Sequence, residues 1–293
     1  MKKNVSLVLS GGGARGLAHI GVIEVLEEYG FHIQAITGTS MGAFVGGLYA
    51  AGTLKEAKQW FYELDMLQIA KLIDFSFSGQ GLIKGDKILD KTKDYIPEDL
   101  KIEDLPIHYC AIAGDITNKK EYVWKEGSVH QAIRSSIAIP TVFTPVNIDG
   151  ALLVDGGIFN NLPLNHAERN PDQLLIAVNV NSSAPLINLR KEEKSLSKYK
   201  RKKQDFHRLI TKVIPRKGEK RLRYFGLINE VFISVFNHTG QLWIEEYKPD
   251  LLINVSRKSC DTFDFLKAKE QVEQGRVCTI NALKEAGILP NNL

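Results

Sequence analysis

The first fifty residues alternate between two hydrophobic periods, and this alternation most narrowly limits the fold. Residues 5–10 form an apolar run with β-branched members, which indicates a buried strand, and residues 15–29 carry an apolar face at helical spacing. Residues 34–38 indicate a second strand, and residues 42–51 a second helix built mostly from small side chains. This order predicts a parallel sheet with helices packed on its faces. We therefore expect an α/β fold: a three-layer α/β/α sandwich with a mainly parallel central sheet.

Further elements of both kinds follow along the chain. The pattern predicts strands over residues 107–113, 152–155, 174–179 and 249–255. It predicts helices over residues 225–236, ending near Gly240, and over residues 263–286, closed by Gly287 and Pro290. No internal repeat and no clear linker is present, so we predict a single domain over residues 1–293, with a basic insertion at residues 187–223.

The composition is that of an ordinary globular domain, with 44% hydrophobic and 25% charged residues in a chain of 293. It argues against a disordered, collagen-like or coiled-coil protein. The cysteines Cys110, Cys260 and Cys278 are scattered and form no C-x-x-C pair, which favours a reducing compartment over a disulfide framework or a zinc ribbon. The apolar run near the N-terminus stops at Leu9, too short for the core of a signal peptide. We therefore expect a cytoplasmic protein.

The formal charge of +4 conceals a strong asymmetry. From Arg190 to Arg223, 15 Lys and Arg stand against 4 Asp and Glu, a net charge of +11, whereas the rest of the chain has 23 against 30, a net charge of −7. The densest basic cluster consists of Lys198, Lys200, Arg201, Lys202 and Lys203. The apolar residues that follow it, at 206, 209, 210, 213 and 214, have the spacing of an amphipathic helix. This combination predicts docking on an anionic membrane surface, with a solvated loop as the alternative. Because no recognised nucleic-acid-binding module accompanies the charge, we expect no nucleic acid partner.

Gly38-Thr39-Ser40-Met41-Gly42 matches the G-x-S-x-G pattern and lies between a predicted strand and a predicted helix. In that context the glycines permit a cramped turn, which presents a serine hydroxyl at the carboxyl edge of the sheet. The N-terminus of the following helix would favour negative charge that develops beside the serine. The pattern therefore predicts that Ser40 is a nucleophile, and a glycine-rich structural turn is the alternative.

Gly11-Gly12-Gly13-Ala14-Arg15-Gly16 has two interpretations. Its glycines satisfy the G-x-G-x-x-G fingerprint of dinucleotide-binding folds, but that interpretation requires an acidic residue about 20 positions further on. The chain has no acid there, since Ala35-Ile36-Thr37 leads directly into the serine motif. The favoured interpretation is an oxyanion hole, in which side-chain-free backbone lets N–H groups converge on an acyl oxygen. For Arg15 two roles stay open, a contact with an anionic head group and a solvated side chain.

A serine nucleophile needs a base. Asp155-Gly156-Gly157 follows the strand predicted over residues 152–155, so its carboxylate is expected at that strand's carboxyl end, with an ordinary Asp-Gly turn as the alternative. In an α/β-hydrolase triad a histidine follows the acid in the chain. No histidine lies in a loop directly after a late strand; the candidates are His19, His130, His166, His207 and His238. The residues alone therefore supply no convincing third member of a triad.

The ordered motifs GGGARG, GTSMG and DGG resemble those of the patatin-like phospholipase family, within the branch that includes bacterial proteins and the catalytic domain of neuropathy target esterase. Three further blocks are also similar to the family: GLAHIG at 16–21, SSIAIP at 135–140 and TFDF at 262–265. The resemblance covers nearly the whole chain and is weakest across residues 187–223. It implies a patatin-like fold for the whole domain.

The resemblance also implies a serine–aspartate dyad without a catalytic histidine, metal or cofactor. Ser40 matches the family's nucleophile and Asp155 its base, while Gly11, Gly12 and Gly13 match its oxyanion loop. Ser136 and Pro140 are expected to shape the loop beside the site. The implied activity is that of a serine esterase that hydrolyses phospholipid or lysophospholipid esters through an acyl-enzyme, as a phospholipase A or a lysophospholipase.

A regulatory scaffold of the same fold is the alternative function. Such a protein would dock on membranes through the basic segment and have little catalytic activity. In either case we expect a cytoplasmic protein with peripheral attachment to the inner face of the membrane.

Overall fold

The computed structural model of the protein describes residues 3–72, 81–83, 86–189 and 218–290. Its strands are β1 (Asn4–Leu9), β2 (His32–Thr39), β3 (Gly81–Ile83), β4 (His108–Asp115), β5 (Lys120–Trp124), β6 (Thr141–Phe143), β7 (Val146–Ile148), β8 (Ala151–Asp155), β9 (Gln173–Ser182) and β10 (Leu251–Ser256). Its α-helices are α1 (Ala18–Glu28), α2 (Met41–Ala50), α3 (Leu54–Glu63), α4 (Met66–Leu72), α5 (Asp86–Thr92), α6 (Val129–Ser136), α7 (Gly218–Tyr247) and α8 (Ala268–Glu285). Short 3-10 turns lie at Gly13–Leu17, Ile102–Asp104, Gly156–Ile158, Leu164–His166 and Phe265–Lys267.

In the described part of the chain, eight strands form one mixed sheet. The order across it is β10-β9-β1-β2-β4-β8-β7, and β5 also pairs with β4. The strands β10, β9, β1, β2 and β4 are parallel, whereas β5 and β8 run antiparallel to β4, and β7 runs antiparallel to β8. A separate parallel pair consists of β3 and β6. The sheet therefore has a parallel half and an antiparallel edge.

Helices cover both faces of the sheet, which explains why its inner strands are apolar throughout. In β1, Leu7 and Leu9 belong to the large core under α1, α2, α6 and α8, whereas Val8 points to the opposite face. There Val8 joins a second, smaller core with Leu162, and α7 covers it through Trp243 and neighbouring side chains. The three-layer α/β/α prediction is confirmed.

The helices α1 and α8 approach each other very closely at two glycines. A Cβ atom added to Gly21 would lie 1.9 Å from the carbonyl oxygen of Val272, and one added to Gly275 would lie 1.9 Å from that of Ala18. Only glycine lets the backbones come this close. The contact holds α8 against α1, and α1 directly follows the first glycine-rich loop.

The elements predicted from the first fifty residues are confirmed, but three helix boundaries further along were wrong. The helix expected to begin at residue 225 and end near Gly240 spans Gly218–Tyr247 as α7. A glycine inside a helix costs about 1 kcal/mol, yet the helix continues through Gly240, which is buried and where an added Cβ atom would lie 3.7 Å from that of Leu162. The helix expected from residue 263 begins at Ala268, after a 3-10 turn.

One sequence prediction falls on the part of the chain between β9 and α7. Most of the predicted basic insertion, including its cluster Lys198, Lys200, Arg201, Lys202 and Lys203, lies outside the described residues. The assignment of residues 1–293 to a single domain also stays a prediction. Among the helices that the structure describes, none combines the length and apolar composition needed to cross a bilayer.

Candidate active site

Ser40 occupies the single residue between the end of β2 and the start of α2. Its φ of 54° and ψ of −122° lie in a region that non-glycine residues seldom adopt. Such a conformation costs about 1–3 kcal/mol and persists only where the surroundings enforce it. The turn therefore places the Ser40 side chain at the carboxyl edge of the parallel strands, at the N-terminus of α2.

The two motif glycines allow this turn because the backbones pack too tightly for any side chain. A Cβ atom on Gly42 would lie 2.2 Å from the carbonyl oxygen of Leu9, and one on Gly38 would lie 2.5 Å from the carbonyl carbon of Gly42. The strand β2, the helix α2 and the end of β1 thus meet around Ser40. This packing is what the G-x-S-x-G interpretation requires.

Asp155 is the last residue of β8 and lies on the far side of β4 from Ser40. The register pairs Thr39 with Ile112 across β2 and β4, and Ala113 with Asp155 across β4 and β8. Asp155 is therefore almost level with the end of β2. The carboxylate was expected at the carboxyl end of its strand, and it lies there. However, β8 runs antiparallel to β4. The position of Asp155 is therefore set by the register of β8 against β4, and not by the edge at which the parallel strands end.

The Asp155 carboxylate is buried, and a backbone hydrogen bond reaches it. The residue is 3% exposed, and the Gly157 N–H donates to Oδ1 at 2.8 Å. Burial raises the pKa of Asp155 from its ordinary 3.8 to about 6, although the interactions with the Ser40 side chain and with the Gly157 N–H act in the opposite direction. The neighbouring Gly156 passes so close to β4 that an added Cβ atom would lie 2.2 Å from the Ile112 carbonyl oxygen.

The first glycine-rich loop lies directly against Ser40. A Cβ atom on Gly11 would be 3.0 Å from the Cβ atom of Ser40. The Gly11 N–H donates to the Asn161 carbonyl at 3.0 Å, and the Ala14 N–H donates to the Thr262 carbonyl at 2.8 Å. Within the described residues, the N–H groups between these two, on Gly12 and Gly13, have no acceptor. They are thus available to an oxyanion bound beside Ser40, and this role stays a prediction.

The carbonyl group of Gly11 is held by two asparagines that the sequence analysis missed. Asn181 Nδ2 donates to it at 2.6 Å, and Asn161 Nδ2 is 3.4 Å from it. Both asparagines are buried, and they come from segments that lie 170 and 150 residues further along the chain. The weak local signal for Asn161 is a polar pair, Asn160-Asn161, inside an otherwise apolar run, because buried polar side chains need specific partners.

Arg15 is part of this scaffold, and the interpretation of it as a solvated side chain was wrong. It is 4% exposed and donates hydrogen bonds to Asn181 Oδ1 at 3.0 Å and to the Cys260 carbonyl at 3.2 Å. Its guanidinium joins the end of β9 to the loop before α8, and so fixes the surroundings of the glycine loop. A planar group with five donors suits this bridging role.

The histidines that were considered as bases have other partners. His166 Nε2 lies 2.5 Å from Glu121 Oε2, and His130 Nε2 donates to the Ile96 carbonyl at 2.9 Å. His19 is fully buried and donates to the Ser10 carbonyl, and burial lowers its pKa to about 4. His238 is exposed on α7, and His207 lies outside the described residues. No group of three or more His, Cys, Asp or Glu residues within the described ranges could hold a metal ion.

The fold and the turn at Ser40 place the protein in a structural class, the α/β proteins that carry a serine on a strained strand–helix turn at the carboxyl edge of a parallel sheet. The comparisons then identify the family. The model of the patatin-like phospholipase family matches residues 7–168, which is more than half of the chain. The chain belongs to this family, as the three ordered motifs predicted.

Relatives exist in both bacteria and mammals. An "Uncharacterized NTE family protein" of Mycobacterium tuberculosis is 46% identical over 179 residues, which cover 61% of this chain and 49% of that protein. Human "Patatin-like phospholipase domain-containing protein 6" is 34% identical over 185 residues, which cover 61% of this chain and 13% of the human protein. The chain thus matches about half the length of the mycobacterial relative and a much smaller part of the human one. Among solved structures, VipD from Legionella pneumophila covers 97% of this chain, with 67% of its own chain matched, at 15% identity and a TM-score of 0.45.

Proposed function

We propose that this protein is a serine esterase that hydrolyses lipid esters, with Ser40 as the nucleophile and Asp155 as its general base. The observation that carries the proposal is the pairing of these two side chains. A serine held on a strained turn interacts with a buried carboxylate whose pKa is raised to about 6. Membership of the patatin-like phospholipase family supports a lipid ester as the substrate.

The raised pKa suits the carboxylate to this task. An ordinary aspartate is a weak base toward a hydroxyl group, whereas one whose pKa lies near the working pH accepts a proton more readily and is still largely ionised at pH 7. In the first step Asp155 takes the proton of Ser40 Oγ while the oxygen attacks the ester carbonyl carbon. The carbonyl oxygen becomes an oxyanion, for which the N–H groups of Gly12 and Gly13 are the proposed donors.

The two half-reactions then balance without any further group. The tetrahedral intermediate collapses, the ester C–O bond breaks, and Asp155 returns its proton to the departing alcohol, which leaves an acyl group on Ser40. Water enters, Asp155 takes one of its protons, and the resulting attack breaks the Ser40–acyl bond. The fatty acid leaves, and Ser40 Oγ regains its proton.

The proposal is tested with purified wild type, Ser40→Ala and Asp155→Asn. Hydrolysis of p-nitrophenyl esters and of a phospholipid and lysophospholipid panel is measured, together with covalent labelling by a fluorophosphonate. Ser40→Ala should abolish both, and Asp155→Asn should abolish turnover. The matched control is Ser6→Ala, which removes a buried serine hydroxyl from β1 that has no hydrogen-bond partner in the described structure. Undiminished hydrolysis by Ser40→Ala, or labelling at another residue, would refute the proposal.

The substrate class is the finer part of the proposal. We infer phospholipids or lysophospholipids, on the strength of the family alone, and the lipid panel decides between them. Docking of the basic cluster at residues 198–203 on an anionic membrane also stays a prediction. It is tested by sedimentation with phosphatidylcholine vesicles, with and without phosphatidylglycerol. Binding only to the anionic vesicles, weakened by added salt, is the expected result.

A further inference from the structure

The nucleophile's backbone is held by a side chain that belongs to neither half of the dyad. The N–H of Ser40 donates to Ser136 Oγ at 2.8 Å, and the same hydroxyl donates to the Ile112 carbonyl at 2.6 Å. Ser136 is the last residue of α6 and is 0% exposed. Its hydroxyl therefore acts as a fixed bridge between the strained turn and β4.

The residues that follow Ser136 also hold the base. The N–H of Asp155 donates to the Ala138 carbonyl at 2.8 Å, only two residues beyond Ser136. The C-terminal end of α6 thus makes a direct bond to the main chain of each dyad residue. Since Ser40 and Asp155 lie on opposite sides of β4, this segment is a short connection between them in addition to the pairing of their strands with β4.

We propose that Ser136 is a positioning residue, which sets the strained backbone of Ser40 and thereby the distance and direction from its hydroxyl to the Asp155 carboxylate. This inference rests on the proposed function. At a φ of 54°, Ser40 can relax toward a commoner conformation if its N–H loses its acceptor. Such a relaxation would move Oγ away from the base. Misplacements of about 1 Å can cost about 100-fold in rate.

The same bond also restricts which groups can bind the oxyanion. Because the Ser40 N–H is already engaged by Ser136, it is not free to donate to a substrate oxygen. The N–H groups of Gly12 and Gly13 in the loop opposite, which have no acceptor among the described residues, are the proposed donors. The bond to Ser136 therefore excludes the Ser40 N–H from the oxyanion hole.

The experiment compares Ser136→Ala with Ser135→Ala. The neighbour Ser135 is equally buried, and its hydroxyl accepts from Trp124 Nε1 at 2.9 Å and donates to the Gln131 carbonyl at 2.8 Å, with no hydrogen bond to either dyad residue. Both substitutions remove one buried hydroxyl, so both should lower the melting temperature. Ser136→Ala should in addition lower kcat about 10- to 100-fold with little change in KM. It should slow fluorophosphonate labelling to a similar degree, whereas Ser135→Ala should keep both rates within about twofold of wild type.

Equal kcat and equal labelling rates in the two variants would overturn the inference, and so would a change confined to KM. A loss of rate in Ser136→Ala that merely follows the unfolded fraction, as measured by circular dichroism in the same buffer, would also overturn it. The wild-type protein separates this result from a failure of the proposed function. If wild type neither hydrolyses esters nor takes the label, the proposed function is wrong; if it does both and Ser136→Ala matches it, only the role of Ser136 is wrong.

Discussion

Replacement of Asp155 by asparagine should abolish turnover and at the same time make the folded protein more stable at neutral pH. Burial raises the pKa of Asp155 from 3.8 to about 6 in the folded state. Between those values the folded chain holds a proton that the unfolded chain has released, so the free energy of unfolding falls as the pH rises through this range. At about 1.36 kcal/mol per pH unit, the loss amounts to about 3 kcal/mol by pH 7.

Asparagine avoids this loss because it is neutral at every pH. Its side-chain oxygen can still accept from the Gly157 N–H, and its NH2 group can donate to the Ser40 hydroxyl, so no buried polar group is left without a partner. For a chain of this size, about 3 kcal/mol corresponds to a rise in Tm of about 5 °C. The gain should be largest above pH 7 and should shrink toward zero as the pH approaches 4.

The assay is thermal unfolding of wild type and Asp155→Asn by circular dichroism between pH 4.5 and 8. The quantity to compare is the difference in Tm between the two proteins at each pH. His19 gives both proteins a pH dependence of stability that is opposite to that of Asp155, and the difference removes it. Burial lowers the pKa of His19 to about 4, so stability is lost as the pH falls below 6.5. Asp115→Asn is the control of opposite sign, since hydrogen bonds from Asn118 lower the pKa of that carboxyl and the substitution should destabilise at pH 7.

The reasoning is refuted if Asp155→Asn is no more stable than wild type at pH 7, or if its advantage is the same at pH 4.5 and pH 8. The first result would mean that the buried carboxylate is better solvated or hydrogen-bonded than the structure indicates. The second would mean that the gain comes from packing and not from a buried charge. Either outcome would also weaken the case for Asp155 as a base with a raised pKa.

The rate of ester hydrolysis should depend on pH through the same group. Below about pH 6, kcat/KM should fall about tenfold per pH unit, because only the ionised Asp155 can accept the Ser40 proton. A midpoint of pH 8 or higher in initial-rate measurements would identify a different base. Gly21→Ala should lower the free energy of unfolding in urea by about 2 kcal/mol or more, since its Cβ atom would collide with the Val272 carbonyl and push α1 and α8 apart. Gly287→Ala, at a φ of 67° with open space around it, should cost only about 1 kcal/mol, and equal costs in the two variants would contradict the packing argument.

The parallel half of the fold could be predicted because its signals are local. Each of β1, β2 and α2 is marked by its own periodicity, and the glycines between them mark the turns. The antiparallel edge could not be predicted in the same way. Strands β7 and β8 have only three and five residues, too few for a reliable period, and their direction depends on pairing with β4.

The same distinction between local and long-range signals applies to the residues of the candidate site. Ser40 and the glycine loop carry short motifs whose physical reason lies within a few residues, so their place beside each other could be anticipated. The contacts of Asn161 and Asn181 with Gly11 join residues 150 and 170 positions apart, and that of Ser136 with Ser40 joins residues 96 apart. Such contacts depend on the finished packing. A sequence can mark these residues as polar within apolar surroundings, but it does not show which group each one binds.

The antiparallel pairing of β8 has a consequence for the order in which the protein acquires its chemistry. A ribosome makes Ser40 more than a hundred residues before Asp155, and the strand that carries Asp155 joins the sheet by pairing with β4 and β7. A growing chain that ends before β8 therefore contains the serine but not its proposed base. If Asp155 acts as proposed, hydrolysis begins only after β8 has paired with β4, and enzymatic activity during synthesis would report the moment at which this edge of the sheet is complete.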